Sequence, residues 1–186
     1  DNGTKMAWNT FNVVSLYPNG NPTLSDVNQR WVGDCCACAV FASMAYLYPR
    51  FIKHIIKDNK DKTYTVTMYD PTGKQIPVGV SGDYFIGNSG DLGALGGRNK
   101  EVSWATILEK AMMKWRQVYL GSSNVGGIGT EYVSAIFTGD GESVGFGAGA
   151  LIAEDLQRAV EVSLKQGRLV IGGFTRSGEQ VDENWQ

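Results

Sequence analysis

The chain of 186 residues has no apolar run approaching the ~20 residues that a membrane-crossing helix needs. No basic-then-apolar leader opens it either, so the expectation is a soluble polypeptide. An excess of positive charge is also missing. With 17 basic residues against 19 acidic ones and a net charge of -2, no broad positive field draws in a phosphate backbone, and nucleic acid is not an expected partner. Cysteine is scarce: Cys35, Cys36 and Cys38 fall so close together, and in so odd a number, that they exclude a disulfide framework and read as free thiols. A single histidine and the lack of a second cysteine pair leave a zinc–thiolate site short of its four ligands. No repeat of about 20 to 50 residues appears, which removes solenoids and propellers.

What is present is glycine, 24 residues, with 11% aromatic, 42% hydrophobic and 19% charged residues. That composition describes strands and tight loops around an aromatic-rich core, in one globular domain or two small lobes, and excludes disorder or a coiled coil. The chain opens on Asp1 rather than Met, which predicts an upstream segment, a signal or pro-segment among the candidates, and leaves secretion or a bacterial cell surface open as a location.

Residues 1–27 are rich in Asn, Gly and Pro and read as extended chain and turns. From Cys35 to Tyr48 the sequence is apolar on every side, with Asp34 as a natural N-cap and Pro49 as a stop, which predicts a buried central helix. A short second helix is expected over Phe51–Lys57, with Lys53 and His54 pointing outwards. Alternation from Thr63 to Tyr69, the turn Asp70-Pro71-Thr72-Gly73 and the run Lys74–Val80 predict a hairpin. Gly87–Arg98 is a glycine-rich loop, and helical spacing of Trp104, Ile107, Leu108, Ala111, Met112 and Trp115 predicts a helix over Ser103–Tyr119. A second glycine loop, Gly121–Gly129, precedes expected helices at Thr130–Phe137 and Glu154–Lys165, an apolar strand at Leu169–Phe174 and a polar tail open to proteolytic nicking. A composition shift near Gly126 divides the chain into residues 1–125, a helix-rich first lobe, and residues 126–186, the beginning of a second, strand-bearing lobe.

The chemistry concentrates in Gln29-Arg30-Trp31-Val32-Gly33-Asp34-Cys35. A thiol in the first turn of a buried helix sits where unpaired backbone N–H groups and the helix dipole favour a thiolate, the nucleophilic form. Gly33 allows a sharp entry into the helix, and Gln29, six residues upstream, can bring its amide N–H to the same point. With the backbone N–H of Cys35 it would form an oxyanion hole. Competing readings are packing cysteines, which suits Cys36 and Cys38, and a redox C-x-x-C pair of Cys35 and Cys38, for which no strand-then-helix thioredoxin pattern precedes.

The segment resembles the nucleophile motif Q-G-x-x-G-D-C-W-x-x-A of the calpain family of papain-like cysteine proteases. Gln29, Gly33, Asp34, Cys35 and Ala39 match it, while Arg30 replaces the family's glycine and Cys36 its tryptophan. Trp104-Ala-Thr-Ile-Leu-Glu-Lys-Ala111 is similar to the family's W-x-x-L-L-E-K-A helix, and Gly126-Gly127 to Phe137-Thr138-Gly139 to its G-G-S-T-S-E…F-T-G stretch. The matches stand in the family's order along nearly the whole chain and are closest in kind to a bacterial calpain-like thiol protease. The resemblance implies an α+β fold with a papain-like core, Cys35 as nucleophile, Gln29 as oxyanion donor, and Gly126, Gly127 and Trp31 lining a cleft for an extended peptide. It implies calcium as a cofactor, with Asp26 and Glu101 at ligand positions, although Glu101 stands one residue further from Trp104 than the family pattern has it. The family's catalytic histidine and asparagine motifs are not in this sequence, and His54, between lysines on a polar helix face, does not replace them. The expected partner is therefore a C-terminal fragment of the same protease carrying both, alongside peptide or protein substrates. The alternative is an inactive peptide- or calcium-binding relative.

Overall fold

The computed structural model describes residues 7–11, 13, 15–87, 90–97, 99–147 and 149–173. In chain order its elements are β1 (Ala7–Thr10), α1 (Cys35–Leu47), α2 (Pro49–Ile55), β2 (Ile56–Asp58), β3 (Tyr64–Tyr69), β4 (Gln75–Val80), β5 (Asp83–Ile86), α3 (Trp104–Leu120), α4 (Thr130–Thr138) and α5 (Ala153–Lys165), with one 3-10 turn at Leu24–Asp26. The fold is mixed α+β, with two small antiparallel sheets among the described residues.

Helix α1 forms because thirteen uncharged residues include one β-branched side chain, Val40, so little opposes helical backbone. Its buried residues Ala37, Val40, Phe41, Met44 and Ala45 repeat at the three- and four-residue spacing of one helix face. Pro49 cannot continue α1 and instead starts α2. The second helix was expected over Phe51–Lys57 but ends at Ile55. Ile56 and Lys57 belong to β2, because β3 offers them an antiparallel partner, Ile56 facing Val66 and Lys57 facing Thr65.

The hairpin runs β3 to β4, Tyr64 opposite Val80 and Tyr69 opposite Gln75. Tyr64, Val66 and Met68 are buried while the intervening threonines are half-buried, the period-two pattern of a sheet with one face on the core. Asp70 closes the turn by accepting hydrogen bonds from the backbone of Thr72 (2.9 Å) and Lys74 (3.0 Å). A second pairing, absent from the expectation of extended chain and turns for residues 1–27, joins β1 to β5 with Ala7 opposite Ile86 and Thr10 opposite Asp83. It is pinned by Lys110 of α3, whose buried ammonium donates to Ser81 O and Oγ (both 2.9 Å) and to the Asp83 carbonyl, and lies over the rings of Trp8 and Tyr84. Burial pushes the pKa of this lysine down to about 8.

Helix α3 is buried on every side from Trp104 to Met113, charged residues included. Ser103 caps it, its hydroxyl accepting from the Ala105 N–H (3.3 Å) and donating to the Asp26 carbonyl (3.1 Å). Phe41 of α1 meets Trp104 of α3 (6.4 Å between centroids) and Phe137 of α4 (5.5 Å), both edge-on, so that three helices share one aromatic cluster. Within residues 126–186, α4 joins this core through Val133, Ile136 and Phe137, whereas α5 contains no buried residue. The apolar strand expected at Leu169–Phe174 does not form over residues 169–173. Neither sheet runs alongside it to complete a ladder, and Leu169 and Ile171 lie half-buried against the core instead. Phe174 and the polar tail lie outside the described residues.

Candidate functional site

The loop before α1 is held by backbone. Asn28 and Gly96 exchange N–H···O bonds of 2.9 and 3.1 Å, and the Trp31 N–H donates to the Gly93 carbonyl (3.1 Å). The glycine loop thus carries the segment that carries Cys35. Gly96 has little room for a side chain: a Cβ there would stand 2.8 Å from Leu92 Cδ2 and 3.0 Å from the Glu101 carbonyl.

Cys35 is the first residue of α1 and is exposed, whereas Cys36 and Cys38 are half-buried against the core; all three are free. Burial pushes the Cys38 thiol up, and the nearby Asp34 and Glu109 carboxyls add to the effect. Cys36 is also raised, by burial and then by its neighbour Cys35. The two inner thiols are therefore held protonated, and the exposed one stands at the helix start.

Asp34 occupies the expected N-cap position, but its side chain makes no capping bond to α1. It is 1% exposed and turns inward, where it meets Glu109 of α3. The first turn of α1 therefore keeps its N–H groups uncapped by that carboxyl, the arrangement an oxyanion would use. Burial raises the Asp34 pKa, with its hydrogen bonds opposing; burial also pushes Glu109 well up, and the neighbouring Asp34 charge adds to it. Glu109 is a site residue that the sequence pattern missed. The signal was available: Glu109 follows Trp104-Ala-Thr-Ile-Leu108 and precedes Ala111-Met-Met113, and a helix apolar all round buries whatever charges it contains.

Gln29 lies on the loop as expected, exposed, with its amide Nε2 donating to the Val32 carbonyl (2.8 Å) and its side chain in hydrogen-bond contact with Asp34. Trp31 is 55% exposed beside it. Gly126 is brought to the same place: the position its Cβ would take is 3.6 Å from the Gly33 carbonyl, and its N–H is fixed by Asn124 Oδ1 (2.9 Å). Gly127 follows at φ 67°, the left-handed region glycine enters freely. Gln29, Gly33, Cys35 and Gly126 therefore belong to one locality, with Asp34 buried beneath it.

No known protein-family model matches the chain, and no curated protein is significantly similar to it.

Asp26 and Glu101 are placed differently from the residues around Cys35. Asp26 is 2% exposed. Its Oδ2 accepts from the Trp104 indole N–H (2.8 Å) and the Thr23 N–H (2.8 Å), and its Oδ1 from Asn19 (3.3 Å). Glu101 is half-buried, folds over Gly97, and has an Oε2 that meets no hydrogen-bond donor. Among the described residues no three His, Cys, Asp or Glu side chains converge as a ready-made metal cluster.

His54, the one histidine of the sequence, is exposed on α2. Helix α1 extends about 20 Å from Cys35 to the start of α2, the helix that carries His54. A cavity of about 620 Å³ also opens at that far end, lined by Met44, Tyr48, Ser134, Thr138, Arg168 and Leu169 among others; Cys35, Gln29 and Trp31 are not in its wall. No described helix is long and apolar enough to cross a membrane.

Proposed function

We propose that this chain is the nucleophile-bearing part of a calpain-like, papain-fold cysteine endopeptidase, acting on unfolded or loop segments of protein substrates. The observation that carries the reading is the exposed thiol of Cys35 at the start of α1, next to Gln29, with the Gly126 loop against the loop before it. In this mechanism the Cys35 thiolate attacks the peptide carbonyl carbon. The C–S bond forms as the carbonyl π pair moves to oxygen, where the Cys35 N–H and the Gln29 amide stabilise it. Rotation of Gln29 away from the Val32 carbonyl frees its N–H for this task. Collapse breaks the C–N bond, the leaving amine takes a proton from an imidazolium, and water then cleaves the thioester. Gly126 and Gly127 admit the backbone of an extended substrate, and Trp31 flanks it.

The histidine and its orienting asparagine come, in this reading, from a C-terminal polypeptide outside this chain, which also covers the apolar side of α5. The donor chemistry of Asp26 and Glu101 fits calcium, a hard cation that takes oxygen ligands. Glu101 offers an oxygen without a donor, and Asp26 retains lone pairs on Oδ1. Bound there, the ion would neutralise charge and order the loops between α1 and α3. The lack of the family's histidine and asparagine motifs in this sequence favours a second reading, a peptide- or calcium-binding module without turnover.

Native size-exclusion chromatography followed by denaturing electrophoresis tests the proposal. The expected result is a companion polypeptide containing the histidine and asparagine, with peptidase activity in the pooled peak. A folded, inactive monomer without a companion would overturn it in favour of the binding module.

A further inference from the structure

Asp34, just before α1, and Glu109, within α3, are each 1% exposed and stand 75 positions apart in the chain. Their carboxyls touch each other. Glu109 Oε2 accepts the Leu95 N–H (3.0 Å), and Asp34 Oδ1 faces the Cys38 thiol at 3.8 Å. That leaves Asp34 Oδ2 and Glu109 Oε1 buried without a donor from any other group. No lysine or arginine among the described residues forms an ion pair with either one. The other groups facing the pair are Gln29, Cys36 and Cys38.

Two ionised carboxylates cannot be held in contact inside a protein without a cation. One proton removes the difficulty: the protonated carboxyl donates to the other, and both orphaned oxygens are satisfied. We infer that Asp34 and Glu109 share a single proton across the α1–α3 contact, and that this proton positions the Gln29–Cys35 turn. Asp34 directly precedes Cys35 and contacts Gln29, so repulsion from an unprotonated pair would act on the residues the proposed reaction uses. Glu109, acting through Asp34, is a positioning residue. The catalytic significance rests on the endopeptidase reading, but the shared proton does not.

Burial pushes both carboxyls up, so the folded chain keeps a proton that the unfolded chain has already released. The resulting stability is fully present below the ordinary carboxyl range and is lost as pH rises through the raised value. The test is infrared spectroscopy of the full chain near pH 7, comparing wild type with Glu109→Gln, together with the pH profile of Cys35 alkylation by iodoacetamide. Wild type should show the carbonyl stretch of a buried protonated carboxyl, and Glu109→Gln should lose it. The wild-type alkylation profile should carry an inflection beyond that of the thiol, and Glu109→Gln should lack it. Absence of the infrared band from wild type, or identical alkylation profiles, would overturn the inference. If Glu109→Gln does not fold, the wild-type band and the same profile measured on Asp34→Asn decide. A band that persists in a complete but inactive protein would count against the endopeptidase alone.

Discussion

Helices α4 and α5 are both amphipathic, yet α4 buries Val133, Ile136 and Phe137 while α5 buries nothing; Leu156 is 48% exposed and Leu164 46%. The contrast extends beyond them, since among the described residues none after Phe137 is buried. An apolar stripe therefore specifies a helix without specifying what will cover it. For α4 the cover is Phe41 and its neighbours on α1, and for α5 no element among the described residues supplies it. Cys35, the proposed nucleophile, belongs to the covered side of this divide, and the proposed partner is meant to complete the other.

The sharpest way to use this division is to separate chemistry from folding. With the companion polypeptide present, Cys35→Ser should drop peptidase activity by about four orders of magnitude or more, while Cys38→Ser should largely preserve it, both followed by release of a fluorescent peptide product. Equal losses would mean that the helix start is not the reactive position. The packing contrast can be broken by paired truncations. Phe137→Ala should cost about 3–5 kcal/mol in urea unfolding because it opens a cavity in the aromatic cluster. Leu164→Ala should cost less than about 0.5 kcal/mol in the isolated chain, as at an exposed site. A large cost at Leu164 would show that α5 is packed after all.

Removal of the proposed oxyanion donor comes next in size. Gln29→Ala should lower turnover by about one to three orders of magnitude with little change in thiol alkylation, and unchanged turnover would assign Gln29 a role only in its loop. Smaller still should be the effect of calcium. Calorimetric titration of the complete protein should show binding that weakens in Glu101→Gln, and activity should fall on chelation; indifference to both removes the ion from the site.

What could be read from the sequence follows from how local each feature is. Helices α1, α3, α4 and α5 and the β3–β4 hairpin are written in spacings of two to four residues and in their punctuation by Ser103, Pro49 and Gly73, and they form where expected. The β1–β5 ribbon is different: Thr10 pairs with Asp83, and all four residues of β1 are exposed, so no alternation announced it. Two of the three residues of β2, Ile56 and Lys57, were hidden inside an apolar helical pattern and yielded to a neighbouring strand. At the site, the position of Cys35 was legible because it depends on Gly33 and the start of one helix. The Asp34–Glu109 contact was not, because Asp34 looked like an ordinary cap and the contact joins residues 75 positions apart.

The exposure of Trp31 gives the site an optical voice. Among the described tryptophans, Trp104 is fully enclosed and Trp115 nearly so, whereas Trp31 and Trp8 face solvent at 55% and 51%. A soluble quencher will therefore dim Trp31 and Trp8 and spare the other two. Trp8 lies on β1 against Phe85 and Lys110, whereas Trp31 belongs to the loop that leads into Cys35, so a ligand or alkyl group arriving at Cys35 should alter the quenchable emission through Trp31. Occupancy at the helix start can thus be followed in the unmodified chain, without a label.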